Sequence, residues 1–388
     1  MLDIVPRELT DEEKKRGLTL DSPEVRNRIV EAGRQGLRKM KPAPLYLQSY
    51  ADRIEVGNFD DDLAALSGCE WVIEVVVENL DVKRGLFEKI VPHLHPQAVL
   101  SSNTSGLSVN EMAKTLPPEL RKRFLVTHFF NPPRYMRLME IISCDESDPQ
   151  LVSSVAEFIS RRLGKGVVYA KDTANFIANR IGVYAIYKGI QHMMEMDLTV
   201  EEVDSVAGPA TARPKSAAFR TADLVGLDVL AHVGNNSYAS VPDDEEREVF
   251  KLPEFMAAMI DQGKLGNKAG QGFYKKEMVD GTRQIFYYDY NSGDYLPLAK
   301  PKFASVQMVK QVDDPRQRLK TILGGTDRGA EYAWKSLRDS LIYTFNRIPE
   351  VADDVVNIDN AMRWGFNWEL GPFEMFDAIG VGRFVKRA

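Results

Sequence analysis

Between Glu70 and Asp172, short apolar, β-branched runs alternate with helical stretches. No other feature constrains the fold of this chain as strongly. "EWVIEVVVENL" (70–80) is followed by the helical "DVKRGLFEKIVPHL", "AVLSSNTSG" (98–106) by "SVNEMAKTL", and "RFLVTHFF" (123–130) by "RLMEIISC". The helix "PQLVSSVAEFISRRLG" and the strand "GVVYAKD" (166–172) complete the series. Strands buried on both faces read as nearly continuous apolar runs, and "VIEVVV" has that texture. Strands spaced by helices of about ten residues indicate βαβ units and a mostly parallel sheet covered on both faces. Ahead of the series, 7–40 reads as helical and heavily charged, ending at "KPAP" (41–44), and "RIEVGNF" (53–59) is strand-like up to a turn at Gly57-Asn58.

The pattern changes after Asp172. "TANFIANRIGVYAIYKGIQHMMEM" (173–196) reads as one long helix, and Thr199 with Glu202 forms a capping box for the next. The chain then reads as helical up to "GKLGNKAGQGFYKK" (263–276). "MVDGTRQIFYYDYNSGDYLPL" (278–298) sets an aromatic, β-prone run between a DG pair and an NSGD cluster, the marks of a small hairpin. Helix resumes near Asp314 and contains an echo. "FRTADLVGLD" (219–228) and "FEMFDAIGVG" (373–382) match, as do "EEVDSVA" (201–207) and "VNIDNAM" (356–362) upstream of them, which indicates a duplicated helical domain. The expected division is 1–172, an α/β domain; 173–276, a helical domain; 277–312, a hairpin linker; and 313–388, a second, incomplete helical copy.

At 388 residues the chain can bury a sizeable core. Its net charge of −6 argues against nucleic-acid binding through bulk electrostatics. Cys69 and Cys144 have neither metal-ligand spacing nor a secreted disulfide framework, so a reducing cytoplasm is the expected location and no metal is expected. No apolar run reaches the roughly 18–20 residues of a membrane span. No export signal is visible at the N-terminus.

In an open parallel sheet, ligands bind beyond the carboxyl ends of the strands. Three such ends carry polar groups: Glu78-Asn79, then Ser102-Asn103-Thr104-Ser105, then His128 before "FFNPP". Glu140 lies twelve residues beyond His128, past a turn forced by "NPP", so a returning strand could set the carboxylate against the imidazole. Such a pair makes a general base, because the carboxylate fixes the tautomer and stabilises the imidazolium. A structural histidine beside a solvated glutamate meets the same spacing. Ser105 and Asn179 fit caps or turns as readily as ligand contacts. Asn175 and Asn179, one turn apart on a helix, could point together at the sheet edge. Glu78 and Lys83 could pair across the turn into their helix, as many surface pairs do to little effect. No G-x-G-x-x-G follows any strand, and "GNKAGQG" (266–272) reads as turn chemistry.

Taken together, "EVVVENLDVK", "SSNTSGLS", "FLVTHFFNPPRYMRLMEII", "KDTANFIANRIG" and "GKLGNKAGQGFYKK" resemble the L-3-hydroxyacyl-CoA dehydrogenases of fatty-acid β-oxidation, over essentially the whole chain. The likeness is to the long bacterial type, in which a duplicated helical domain is followed by an enoyl-CoA hydratase module. The resemblance implies an α/β Rossmann-like NAD-binding domain and an all-α, duplicated C-terminal domain of the 6-phosphogluconate-dehydrogenase-like kind. It implies NAD as cofactor, an acyl-CoA substrate, and a monomer or homodimer. It assigns His128 as the base, Glu140 as its partner, Ser105 as a contact to the reacting oxygen, and Asn179 as a contact to substrate and imidazole. Glu78, Lys83 and Asn103 would line the cofactor side, and Arg34, Arg38, Lys39 and Lys41 would serve the CoA phosphates.

Three features depart from the family. Gly36 replaces a serine in the CoA region, and "GPATARPKSAAFR" (208–220) stands where a shorter G-P-F-E turn is usual. The chain also opens at what would be the end of the second Rossmann strand, with Asp3 in place of the ribose-binding acid and the glycine-rich turn missing. The implied reading is a dehydrogenase shortened at both ends. Its rivals are a non-catalytic binding module that has lost the cofactor, and a dehydrogenase of free hydroxy acids.

Overall fold

The computed structural model describes residues Met1–Ala388, which fold as two compact units. The first comprises 1–104 and 109–165; the second comprises 105–108 and 166–388. The expected boundary at 172 thus lies a strand later than the division between the units. No helix is long and apolar enough to cross a membrane.

In the first unit, β1 (Leu2–Asp3) and β2 (Gly57–Asn58) form a parallel pair of their own, Leu2 opposite Gly57. The main sheet of this unit runs β3 (Trp71–Glu74), β4 (Val99–Ser102), β5 (Phe124–Phe129), β6 (Leu138–Ser143). The first three strands are parallel and β6 is antiparallel to β5. Leu100, Phe124, Leu125, Val126, Ile141 and Ile142 are buried, as the apolar runs require. The helix Leu80–Ile90 covers them, with Phe87 edge-on to Phe124 at 5.5 Å between ring centres.

One expectation fails in this unit. The strand at "EWVIEVVVENL" ends at Glu74 and does not include Val75–Val77. The Glu74 carboxylate captures the Val76 amide at 2.6 Å, which takes the chain out of the ladder. As β3 is the edge strand, Val75 and Val77 are left 66% and 67% exposed. The charged stretch 7–40 is three helices, Asp11–Lys15, Pro23–Arg26 and Arg28–Lys39. Gly17 at positive φ and Pro23 at a helix start break it.

The second unit opens with β7 (Gly166–Ala170) and is built around the helix Ala178–Glu195. That helix packs on Arg328–Asn346, with the Tyr184 and Tyr343 rings stacked at 3.7 Å. The long helix therefore begins at Ala178, not at Thr173. Asn175 and Phe176 precede it in the left-handed region, φ +62° and +51°. Thr199 and Glu202 form the expected capping box. The expected hairpin is three antiparallel strands, β8 (Tyr274–Val279), β9 (Thr282–Tyr288) and β10 (Tyr295–Pro297). Asp280-Gly281, both at positive φ, turn the first pair. "GNKAGQG" is a turn, with Gly266 at φ +95° passing against the backbone of Asp223.

The sequence echo is also an echo in structure. Asp204, in the helix Val200–Val206, accepts from the amides of Ala218, Phe219 and Arg220 that open the helix Phe219–Val225. Asp359, in Val355–Gly365, accepts from Phe373 and Glu374, which open Pro372–Ile379.

Candidate functional site

The carboxyl ends of β3, β4 and β5 bring their polar residues into one connected group. Antiparallel register sets His128 directly opposite Glu140. The imidazole Nδ1 and the Glu140 carboxylate are 2.7 Å apart. Glu140 is fully buried and His128 is 4% exposed. The bland alternative, a solvated glutamate, is therefore excluded by geometry. A carboxylate on Nδ1 keeps the proton there and leaves Nε2 as the basic nitrogen. The ring also packs on Phe130, at 4.6 Å between centres.

Asn103 bridges two strand ends. Its amide donates to the Glu74 carbonyl at 2.8 Å, and its side-chain oxygen accepts from the Phe129 amide at 2.9 Å, next to His128. Thr104 donates its hydroxyl to Glu78 at 2.6 Å. The loop after β5 is fixed from outside: Arg134 donates to the carbonyls of Ala43 and Leu45 at 2.9 and 2.8 Å, and Tyr135 donates to Ala43 at 2.9 Å. Lys165 donates to the carbonyls of Pro133 and Met136, and burial holds its ammonium below the usual lysine range.

The Glu78–Lys83 pairing is only part of what Lys83 does. Its ammonium is 3.4 Å from Glu78 but 2.8 and 3.0 Å from the two oxygens of Glu74. Lys83 and Glu74 are both sealed from solvent. Lys83 is thus a buried counter-ion and presents no charge to a ligand. Glu74, which accepts from the Ser102 hydroxyl at 2.5 Å, escaped the sequence reading. The signal was an acid inside an apolar β-branched run with a lysine one helical entry later, because a buried carboxylate requires a partner.

Asp3 ends β1, half-buried, and its carboxylate accepts from the Ile4 amide at 2.7 Å. Among the basic candidates, Arg34 is paired with Glu31 and Arg38 with Asp52. Lys39 and Lys41 are exposed. Ser105 and Asn179 belong to the second unit, both half-buried, Asn179 in the first turn of the helix Ala178–Glu195. Asn175 does not join Asn179 on one helix face. It is buried, its amide donates to the Ser237 hydroxyl at 2.6 Å, and Gly106 lies so close that a Cβ there would come within 2.7 Å of its side chain. Asn175 is a structural residue.

Two family models match the chain. The model for the 3-hydroxyacyl-CoA dehydrogenase NAD-binding domain matches residues 14–173, and that for the 3-hydroxyacyl-CoA dehydrogenase C-terminal domain matches 176–276. A probable 3-hydroxyacyl-CoA dehydrogenase of Bacillus subtilis is 46% identical over 387 residues, all of this chain and 48% of that protein. The chain thus spans about half the length of that relative. A probable 3-hydroxyacyl-CoA dehydrogenase of Deinococcus radiodurans is 44% identical over 266 residues, 69% of this chain and 76% of that protein. In fold, the chain is similar to the crystal structure of 3-hydroxybutyryl-CoA dehydrogenase from Escherichia coli, with a TM-score of 0.69 at 20% identity. That match covers 94% of this chain and 86% of the other.

Proposed function

The chain belongs to the 3-hydroxyacyl-CoA dehydrogenase family, and from that premise we propose that it carries the site for NAD-linked oxidation of (S)-3-hydroxyacyl-CoA to 3-ketoacyl-CoA. The observation that carries this reading is the buried His128–Glu140 pair at the carboxyl end of β5, 2.7 Å apart. His128 Nε2 takes the proton of the 3-hydroxyl, and Glu140 stabilises the imidazolium so formed. Ser105 contacts the reacting oxygen, and Asn179 helps to hold the substrate. NAD, when bound, supplies the hydride acceptor.

The residues present fit the nicotinamide end of that cofactor better than its phosphates. Glu78 and Asn103 sit beside the strand ends, held by Thr104 and the Phe129 amide. Asp3 offers a carboxylate for ribose hydroxyls. No glycine-rich turn in the sequence offers amides to the pyrophosphate. Lys83 acts one step back, as the counter-ion of Glu74 and Glu78. Lys39 and Lys41, exposed, and Arg38, turned toward Asp52, are the cations available to CoA phosphates. An enoyl-CoA hydratase module elsewhere in a longer polypeptide would supply this substrate by hydrating an enoyl-CoA.

The test is oxidation of (S)-3-hydroxybutyryl-CoA by the protein carrying this chain, followed as NADH formation. Replacing His128 by Ala should lower kcat/KM by about 10²–10⁴-fold, the range for removal of a general base. An unchanged rate would remove the assignment. Free 3-hydroxybutyrate, run in parallel, should turn over far more slowly than its CoA ester.

A further inference from the structure

The loop 208–218 contains a buried guanidinium with no carboxylate partner. Arg213 is 7% exposed, and its Nε and Nη2 are sealed from solvent with no acceptor. The other deeply buried arginines of this unit all have carboxylates: Arg180 has Asp244, Arg318 has Glu369, and Arg347 has Asp244, Glu245 and Glu350. Arg213 instead lies over the face of Trp368, 4.8 Å from the ring centre. A guanidinium stays charged at any ordinary pH, so deprotonation cannot relieve its burial.

Glu369, whose backbone amide donates to the Ala212 carbonyl at 2.9 Å, is the acid packed on this loop, and its carboxylate is held by Arg318. The stretch 212–220 contains Arg213, Lys215 and Arg220 and no acid. Asp204, on the helix before the loop, is committed to the amides of Ala218, Phe219 and Arg220 and to the Tyr274 hydroxyl at 2.9 Å. Arg220 lies over the Tyr274 ring. The loop is held in a costly shape, with Ala212 and Ala217 both at positive φ, +56° and +50°.

Arg213 forms one wall of a cavity whose lining includes Ala185, Ala207, Thr221, Phe366 and Trp368. Its free volume of about 20 Å³ admits an occupant the size of one or two water molecules. We propose that this cavity is a small-anion site, with Arg213 as the binding group and a carboxylate or a halide as the ligand. The planar fork of the guanidinium suits a carboxylate, and the small volume excludes phosphate esters. Trp368 and the alanines form the apolar walls that make the charge–charge contact strong.

The test uses Trp368 as a built-in reporter and thermal unfolding as an independent one. The whole protein is titrated with sodium acetate and, separately, with sodium chloride, alongside R213M, R213K and W368F. General salt effects are common to all four proteins and cancel in the differences. The unsubstituted protein should gain a few degrees in Tm across the titration and change its tryptophan emission with the same midpoint. R213M should start at an equal or higher Tm in low salt and show no saturable gain. R213K should need at least about tenfold more anion, having lost the fork. W368F should keep the Tm response and lose the optical one. A lower midpoint for acetate than for chloride identifies the carboxylate as the ligand, and the reverse identifies the halide. Parallel curves for the unsubstituted protein and R213M, or no saturable gain in either, overturn the site. If R213M does not fold, an unchanged midpoint in R213K does the same.

Discussion

The Lys83 ammonium lies between both oxygens of Glu74, at 2.8 and 3.0 Å, and neither side chain reaches solvent. Glu74 also accepts from the Ser102 hydroxyl and the Val76 amide, so its carboxylate is satisfied on every side. Removing Lys83 alone leaves a buried charge uncompensated. Lys83→Met should therefore lower unfolding stability by ~3–5 kcal/mol, whereas Lys83→Met combined with Glu74→Gln should lose clearly less. Urea unfolding of the two variants decides it. A single variant that loses no more than the double would show that the pair is not coupled.

The same pair shows where the sequence was legible and where it was not. Alternating apolar strands and helices fix the sheet, since strands buried on both faces leave few other arrangements, and β4 to β6 lie where the runs placed them. His128 opposite Glu140 was one of two readings that the turn and returning strand allowed, and the family resemblance favoured it; the antiparallel register sets the two residues face to face. Glu74 was passed over although an acid inside an apolar run marked it, because its role depends on a side chain that arrives from the next helix. The strand end at Glu74 and the late helix start at Ala178 were missed for one reason. In both cases a polar side chain, Glu74 or Asn175, makes a bond that overrides local propensity.

The second prediction concerns the imidazole. Glu140→Gln preserves shape and the capacity to accept from Nδ1 but removes the charge that stabilises the imidazolium. It should lower kcat/KM by roughly 10²–10⁴-fold in 3-hydroxyacyl-CoA oxidation while circular dichroism stays unchanged. A rate within a factor of about two of the unsubstituted protein would mean that Glu140 serves the fold alone.

A third prediction follows from Asp223, which accepts from the amides of Phe273 and Tyr274 at 2.7 and 2.9 Å. Burial pushes its carboxyl up to about 7, with nearby Asp204 adding to the rise and the two amides opposing it. A folded-state pKa above the unfolded one means stability that is full below about pH 4 and lost as pH rises through about 7. Between pH 5 and 8 this group should therefore cost the folded state ~2 kcal/mol. Asp223→Asn should lack that part of the pH dependence. Urea midpoints for both proteins at pH 5 and pH 8 provide the measurement, and equal slopes with pH would contradict it.

The last prediction uses the duplication. Asp204 and Asp359 each hold the first amides of the helix that follows, across a gap of 14 residues in both copies, Asp204 to Ala218 and Asp359 to Phe373. The contact in the second copy is tight: a Cβ on Gly371 would come within 2.4 Å of the Asp359 side chain. Asp359→Ala would strand two half-buried amides at the start of Pro372–Ile379, each costing about 1–2 kcal/mol, so a loss of ~2–4 kcal/mol is expected. Asp204→Ala, with three amides and the Tyr274 hydroxyl at stake, should lose more. The loss in Asp359→Ala should be local as well as global. Hydrogen exchange of the amides in 372–379 should accelerate before that of the helix Ala178–Glu195. If exchange in 372–379 stays at the level of the unsubstituted protein, the two aspartates are alike in position but not in work.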